Sequence, residues 1–297
     1  EIKKQLEMTG LVENTDFIMY QQFITEWYYR FRNEINLIKT DLILTSRCNL
    51  NCKNCMEFLP YWKKRHETSL DECKENLDYY FQCVNYVMEM DLIGGEPFLY
   101  SQLPELITYI GERYRDRIGY LGFITNGLLI PEGKVLYLIK KYDITISISD
   151  YSKTLHYEER IHLLCKKLDE MGISYFVNEN IDWFDFGFPR DIYHYTGDEA
   201  KKHMELCNTI EHLLDDKKLY YCGPAWAAQK GGLFPEDENN YIDLCELIGK
   251  SSEERKEILE MVLGNIKGGH VHFCEVCGGF GIDNMNKVAT AEQYKKC

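Results

Sequence analysis

Residues 41–55 read DLILTSRCNLNCKNC, and this stretch decides how the rest of the chain is interpreted. The run Asp41–Thr45 is short and largely apolar, which predicts a strand buried on both faces of a sheet. Directly after it, Cys48, Cys52 and Cys55 form a Cys-x3-Cys-x2-Cys motif. Three thiolates do not complete a structural zinc site without a remote ligand. A four-iron cluster held by three cysteines leaves one iron open for another ligand.

The chain beyond this motif alternates short apolar segments with amphipathic ones. Four more strands are predicted, at Met90–Ile93, Gly119–Thr125, Ile144–Ser149 and Ile173–Val177. Helices are predicted between the strands, at Ser69–Val87, Leu103–Arg113, Gly133–Lys141 and Tyr157–Met171. Such alternation implies parallel strands with right-handed crossovers. We therefore expect an α/β fold built on a partial (β/α) barrel.

Composition narrows the functional classes. With 297 residues and 45% apolar content, the chain can bury a substantial core. Its 34 Lys and Arg against 48 Asp and Glu give a net charge of −14, so it lacks the basic footprint that nucleic-acid or anionic-membrane binding requires. No apolar run approaches the roughly 18–20 residues of a membrane span. Twelve cysteines without a visible signal peptide favour reduced, metal-bound thiolates and a cytoplasmic protein over six disulfides.

Cys48, Cys52 and Cys55 after the first strand resemble the cluster motif of the radical S-adenosylmethionine (radical SAM) superfamily. The resemblance implies a [4Fe–4S] cluster with three cysteine ligands, and S-adenosylmethionine at its open iron. It also implies reductive cleavage of that cofactor to methionine and a 5′-deoxyadenosyl radical, which abstracts hydrogen from an unactivated C–H bond. We expect an external electron donor such as flavodoxin or ferredoxin.

Other polar positions match the same family. Gly94-Gly95-Glu96-Pro97 follows the second strand and resembles the GGEP motif. In the family this motif holds the amino group of the methionine moiety, since two glycines allow close backbone approach and Glu96 accepts from an ammonium. The remaining expected contacts to ribose and methionine are Thr125, Asn126, Ser147 and Ser149.

A second set of cysteines lies beyond residue 200, at Cys207, Cys222, Cys274 and Cys277. The Cys-x14-Cys and Cys-x2-Cys spacings resemble the shortened, twitch form of the SPASM auxiliary domain, which implies a second [4Fe–4S] cluster. The alternative is a zinc ribbon, either with four cysteine ligands or with His270 or His272 in place of one of them. We expect these two histidines to lie near the ligands or at the surface instead.

The sequence therefore predicts a helical preamble at 1–38, a radical SAM core at 39–200 and an auxiliary domain at 201–297. A compact core with one auxiliary cluster resembles the radical SAM dehydrogenase of butirosin biosynthesis and the neomycin epimerase. That likeness implies redox modification of a carbohydrate or cyclitol, with Cys245 as a candidate hydrogen donor in the epimerase case. The alternatives are a maturase of ribosomal peptides and an activase for a glycyl-radical enzyme.

Overall fold

The structure, a computed structural model, describes residues 34–179, 182–207 and 212–294. Its strands are β1 (Asn36–Thr45), β2 (Tyr86–Gly94), β3 (Ile118–Thr125), β4 (Thr145–Ser149), β5 (Tyr175–Asn178), β6 (Trp183–Phe184), β7 (Leu213–Asp215), β8 (Lys218–Tyr220), β9 (Tyr241–Asp243) and β10 (Lys287–Val288). Within the described residues, eight of them form one sheet in the order β5-β4-β3-β2-β1-β7-β8-β9. Strands β1 to β5 are parallel neighbours, so the expected α/β fold with a partial (β/α) barrel is confirmed.

Helices cover the sheet between successive strands. They are α1 (Leu70–Cys83), α2 (Leu103–Arg113), α3 (Lys134–Lys141), α4 (Ser152–Leu155), α5 (Glu158–Met171), α6 (Asp198–Leu206), α7 (Gly223–Lys230) and α8 (Glu257–Val262). The predicted start of α1 is confirmed, because the Ser69 and Glu72 side chains cap each other's backbone N–H groups. Fully buried side chains on α1 and α2, such as Leu77 and Ile107, pack into the core. No helix among these combines the length and apolar character needed to cross a membrane.

Strands β1 and β2 both begin earlier than the sequence predicts. The prediction missed their first residues because these include polar side chains, which are paired across the sheet. Lys39 lies 2.8 Å from Glu89 and 3.0 Å from Asp91, and only about a tenth of the Lys39 side chain is exposed. Burial raises the pKa of Asp91 to about 6, although the Lys39 ammonium acts against this rise. The early residues of β1 thus belong to the sheet rather than to the expected preamble, whose residues 1–33 lie outside the described part.

The sheet also continues past the predicted boundary at residue 200. Helix α6 spans that position, and β7 pairs parallel with β1 through Asp41 and Leu213. Strands β8 and β9 extend the same sheet in antiparallel fashion. A separate two-stranded sheet joins β6 to β10. Cys222, two residues after β8, is therefore attached to the same central sheet as the first cysteine motif.

Candidate functional site

The first three cysteines lie in the cluster loop, residues 48–55, beyond the carboxyl end of β1. The loop turns back on itself because the Cys55 N–H donates to the Cys52 carbonyl over 3.1 Å. The Leu50 N–H donates to Cys48 Sγ over 3.4 Å. Backbone N–H groups that point at sulfur stabilise negative charge on a thiolate, as a metal ligand requires.

Burial controls the ionisation of these thiols. It raises the pKa of Cys48 to about 12, and the charges of Glu96 and Cys52 add to that rise while the Leu50 N–H opposes it. Burial also raises the pKa of Cys52 and of Cys55. Without metal the three thiols are therefore protonated at neutral pH, and iron binding must release their protons.

Gly94 and Gly95 lie against the root of the cluster loop. The Gly95 N–H donates to the Thr45 carbonyl over 2.7 Å, and the Glu96 N–H donates to the Arg47 carbonyl over 2.8 Å. A Cβ at Gly94, whose φ is +147°, would lie 2.1 Å from the Thr45 oxygen. A Cβ at Gly95 would lie 2.4 Å from the Arg47 oxygen. Both positions therefore require glycine, since backbone occupies the space of a side chain.

Glu96 is fully buried, and its carboxylate ties together the ends of β2 and β3. One oxygen accepts from the Thr125 hydroxyl over 2.8 Å and from the Phe98 N–H over 3.2 Å. The other accepts from the Asn126 N–H over 3.0 Å. Burial nevertheless raises the pKa of Glu96 to about 7, against the lowering by these donors. In this structure the carboxylate thus braces the loop that carries Asn126, a role that sequence reasoning did not foresee.

Asn126 connects the end of β3 to the cluster loop. Its Nδ2 donates to Asn49 Oδ1 over 2.7 Å and lies 3.9 Å from Cys48 Sγ. Its own carbonyl accepts from the Tyr157 hydroxyl over 2.8 Å. The predicted polar residue after β3 therefore reaches the cysteine motif.

Ser147 and Ser149 lie on one face of β4, at the same carboxyl edge of the sheet. Both are buried, and Ser147 Oγ accepts from Asn178 Nδ2 over 3.3 Å. Because the carboxyl ends of parallel strands meet at one edge, the predicted polar residues and the cluster loop share that edge.

Tyr151, which sequence reasoning missed, lies beside the cluster loop. Burial raises the pKa of its hydroxyl, and the neighbouring Cys52 and Cys55 add to the rise while Ser149 opposes it. Its ring meets the Trp183 ring edge-on, with centroids 5.5 Å apart. The sequence signal that could have identified Tyr151 as a site residue was its position shortly after β4.

The second cysteine set also converges. Cys207 ends α6, and Cys222 immediately precedes α7. The Phe280 N–H donates to Cys207 Sγ over 3.3 Å, and the Gly279 N–H donates to Cys277 Sγ over 3.3 Å. Consecutive backbone donors thus serve two cysteines that are 70 residues apart in sequence.

The fourth member of the set lies close to the other three. Burial raises the pKa of the Cys274 thiol well above its usual value, and the charges of Cys222, Cys277 and Cys207 raise it further. Burial likewise raises the pKa of Cys277. Four thiols that influence one another in a buried place are a suitable donor set for a metal cluster.

His203 lies next to this set and was not predicted. A Cβ at Gly279 would lie 3.1 Å from His203 Nε2 and 3.3 Å from Cys207 Sγ. The buried imidazole stacks on the Tyr195 ring at 4.3 Å, and its Nδ1 lies 2.7 Å from an Asp283 oxygen. The four-residue spacing between His203 on α6 and Cys207 directly after it was the available sequence signal.

The two histidines weighed as zinc ligands have carboxylate partners instead. His270 Nε2 lies 2.8 Å from a Glu275 oxygen, and His272 Nδ1 lies 2.9 Å from an Asp237 oxygen. Within residues 34–179, 182–207 and 212–294, no three Cys, His, Asp or Glu side chains are grouped tightly enough to hold one metal ion. A four-iron cluster takes one cysteine per iron, so its ligands stand farther apart than those of a single zinc.

Phenylalanine rings join the two cysteine sets. Phe58, three residues after Cys55, packs against Phe273 with ring centroids 5.9 Å apart, and Phe273 immediately precedes Cys274. Phe188 contacts both rings, at 5.1 and 5.0 Å. The two sets are therefore held by one apolar cluster.

Cys245 is not brought to the first cysteine motif. It is exposed and lies next to Leu244, whose carbonyl is 3.6 Å from Cys83 Sγ. Cys83 ends α1 at the amino edge of the sheet, where Asn85 bonds to the backbone at the start of β1. The cluster loop is at the opposite, carboxyl edge, so the structure gives no support to Cys245 as a hydrogen donor.

The comparison with known proteins concerns the part of the chain that carries the first cysteine motif. The model of the Radical SAM superfamily matches residues 42–174, from β1 to the end of α5 and just beyond. Residues 42–174 are therefore similar to the radical SAM domain, a family whose members use a [4Fe–4S] cluster and S-adenosylmethionine as cofactors. The three thiols of the cluster loop, the close backbone approach at the two glycines and the polar residues at one edge of the sheet fit these groups.

Similar proteins cover the chain unevenly. The PqqA peptide cyclase of Granulibacter bethesdensis is 31% identical over 118 residues, which are 40% of this chain and 30% of the relative. The radical SAM cyclopropyl synthase TigE of Paramaledivibacter caminithermalis is 25% identical over 157 residues, 45% of this chain and 33% of the relative. The chain matches about a third of the length of these curated relatives.

One solved structure matches nearly end to end. The crystal structure of BtrN in complex with AdoMet and 2-DOIA has a TM-score of 0.53 at 16% identity, and the match covers 87% of this chain and 97% of that chain. At this identity the likeness shows a shared fold.

Proposed function

We propose that this protein is a radical SAM enzyme that carries out a redox modification, a dehydrogenation or an epimerisation, on a hydroxylated small molecule of the carbohydrate or cyclitol class. The observation that carries the proposal is the meeting of Cys48, Gly95 and Asn126 at the carboxyl edge of the sheet. It combines one buried and two half-buried thiols, two glycines whose surroundings leave no room for a side chain, and polar groups near both.

The chain's own residues have separate tasks in this proposal. Cys48, Cys52 and Cys55 hold the [4Fe–4S] cluster, which with S-adenosylmethionine supplies the 5′-deoxyadenosyl radical that abstracts hydrogen. Residues Gly94–Pro97 position the methionine end of the cofactor through close backbone approach. Thr125, Asn126, Ser147 and Ser149 offer hydrogen bonds to its polar groups at the same edge.

A second cluster at Cys207, Cys222, Cys274 and Cys277 is part of the proposal. Support comes from their mutual influence on ionisation and from the backbone N–H groups that point at two of the sulfurs. Such a cluster would accept the second electron of a dehydrogenation. We propose the C-terminal region as an auxiliary domain in function, although its strands extend the central sheet.

Polar and aromatic groups near the cluster loop favour a hydroxylated substrate. The Asn178 amide, the Tyr151 hydroxyl and the Trp183 ring lie at or near the carboxyl edge of β4 and β5. Aromatic faces together with amides suit the apolar and hydroxylated faces of a sugar ring. An external electron donor of the flavodoxin or ferredoxin type completes the proposed reaction.

Peptide modification is the second candidate, and one observation favours it. The relatives named above carry the names PqqA peptide cyclase and cyclopropyl synthase. The fold accommodates either substrate class, since function is decided by the site and not by the fold. The two are therefore separated by experiment.

The test begins with anaerobic reconstitution of iron and sulfide. We expect about eight irons per chain, four for each cluster. Replacement of Cys48, Cys52 and Cys55 with Ala should abolish formation of 5′-deoxyadenosine from S-adenosylmethionine. The matched control is Cys165→Ala, which removes a half-buried thiol from α5. Persistent 5′-deoxyadenosine in the triple variant would refute the proposed site.

Substrate class is tested by isotope transfer. Deuterium from a ring-deuterated sugar or cyclitol should appear in 5′-deoxyadenosine or in recovered S-adenosylmethionine. Transfer from a deuterated peptide and none from the sugar would establish the peptide alternative.

A further inference from the structure

Residues Glu292–Tyr294, here called the clasp, pair with the cluster loop through the backbone. The Lys53 N–H donates to the Glu292 carbonyl over 2.7 Å, and the Tyr294 N–H donates to the Asn51 carbonyl over 2.7 Å. Cys52 and Gln293 therefore face each other across an antiparallel bridge. A segment more than 230 residues away in sequence thus flanks the middle cysteine of the motif.

The Gln293 side chain is fixed at both ends of its amide. Its Oε1 accepts from the Asn51 N–H over 2.9 Å. Its Nε2 donates to the Ala291 carbonyl over 2.8 Å and to Cys52 Sγ over 3.3 Å. Because an amide nitrogen carries two hydrogens, both donations are satisfied at once. The amide is consequently held with one N–H directed at sulfur.

Further contacts keep the clasp in register. Asn51 Nδ2 donates to the Tyr294 carbonyl over 3.0 Å. Lys53 and Glu292 form an exposed ion pair at 3.3 Å, which adds little by itself. The Tyr294 ring packs edge-on against Tyr61, with centroids 5.3 Å apart. The position of Gln293 is therefore set by several independent contacts.

We propose that Gln293 is a positioning residue of the first cluster: its amide orients Cys52 and, by donating to that sulfur, raises the reduction potential of the cluster. A reduced cluster carries one more negative charge, so a donor to a ligand sulfur stabilises the reduced form more than the oxidised form. Groups that hydrogen-bond metal ligands also hold them in orientation. This inference rests on the proposed assignment of Cys48, Cys52 and Cys55 as cluster ligands.

Two substitutions separate the effect of the N–H donated to Cys52 from the effect of the acceptor that holds the Asn51 N–H. Gln293→Glu keeps an oxygen acceptor for the Asn51 N–H, loses the donor to sulfur and adds negative charge. Gln293→Leu removes both hydrogen-bonding functions at similar size. The matched control is Gln82→Leu, which removes an exposed amide on α1 that donates to the Asp78 carbonyl.

The readout is an anaerobic redox titration, followed by electron paramagnetic resonance, of the cluster signal that changes when S-adenosylmethionine is added. In both Gln293 variants we expect a more negative midpoint, corresponding to a threefold to tenfold loss in the reduced-to-oxidised ratio at fixed potential, where tenfold is about 59 mV. Chelators should also extract iron faster. The Gln82 variant should match wild type in both measurements.

The outcomes are distinguishable. If wild-type protein forms no cluster that responds to S-adenosylmethionine, the proposed function itself fails. If wild type forms that cluster and both Gln293 variants titrate at its midpoint, only the role of Gln293 is overturned. The Glu variant keeps the acceptor for Asn51, so it provides a loaded protein even where the Leu variant loses iron.

Discussion

Asn126 Nδ2 donates to Asn49 Oδ1 over 2.7 Å, and this bond links the end of β3 to the cluster loop after β1. The two residues are 77 positions apart, and strand β2 lies between their strands in the sheet. The bond therefore helps to fix the position of the cluster loop relative to the sheet.

A double-mutant cycle on Asn49→Ala and Asn126→Ala should detect this link. A hydrogen bond between neutral groups contributes about 0.5–1.5 kcal/mol, so we expect a coupling energy of about 1 kcal/mol in anaerobic denaturant unfolding. A cycle of Asn49 with Asn265, whose amide bonds to Glu260 elsewhere, is the control and should show no coupling. Additive effects of the first pair would contradict the link.

Glu96→Gln should destabilise the protein by about 1–3 kcal/mol, because the new NH2 group opposes at least one backbone N–H that now donates to the carboxylate. Chemical denaturation against wild type measures the loss. Glu67→Gln at a partly exposed carboxylate provides the comparison and should lose less. An equal loss at both sites would count against a bracing role for Glu96.

The difference in stability between wild type and Glu96→Gln should depend on pH in a defined direction. Burial raises the pKa of Glu96 from 4.5 to about 7, so the folded protein binds this proton more tightly than the unfolded chain. Its contribution to stability is present below about pH 4.5 and is lost as pH rises through about 7. The difference in unfolding free energy between wild type and Glu96→Gln should therefore narrow across this window. A difference that widens would refute the assigned shift.

Gly95→Ala should destabilise strongly, by about 1–3 kcal/mol or more, because its Cβ would lie 2.4 Å from the Arg47 carbonyl oxygen. The matched control is Gly223→Ala in α7, where the added Cβ meets only Leu213 at 3.5 Å. That change should be neutral or slightly stabilising, as alanine is favoured in helices. Thermal unfolding of the two metal-free variants compares them directly.

Cys274→Ala should lower the iron content after reconstitution from about eight to about four per chain. Formation of 5′-deoxyadenosine should remain, because the first cysteine set is intact, while product formation falls. Retention of about eight irons would exclude Cys274 as a ligand. Cys73→Ala, at a buried thiol 3.6 Å from the Tyr100 hydroxyl, controls for loss of a buried cysteine.

Cys245→Ala should leave product formation within about twofold of wild type, since an exposed surface change away from the site has little effect. Single-turnover assays with trapping of the substrate radical provide the measurement. A stalled radical in this variant would restore Cys245 as the hydrogen donor.

Much of the fold could be predicted because buried parallel strands and capped helices leave local signals. The helix start at Ser69 and the helix at Leu103–Arg113 are found as predicted. The starts of β1 and β2 were not found, because Lys39 reads as a surface residue until Glu89 and Asp91 neutralise it across the sheet. Cross-strand pairing has no signature in a single segment.

The sequence by itself determined the cysteine spacings, the paired glycines and the alternation of strands and helices along the first part of the chain, because each depends on residues a few positions apart. Only the tertiary structure decided which distant groups meet. It turned Glu96 inward to Thr125 and Asn126, brought Gln293 to Cys52, and left Cys245 at the opposite edge. These contacts depend on how parallel strands and the clasp are aligned in space, and chain distance does not encode that alignment.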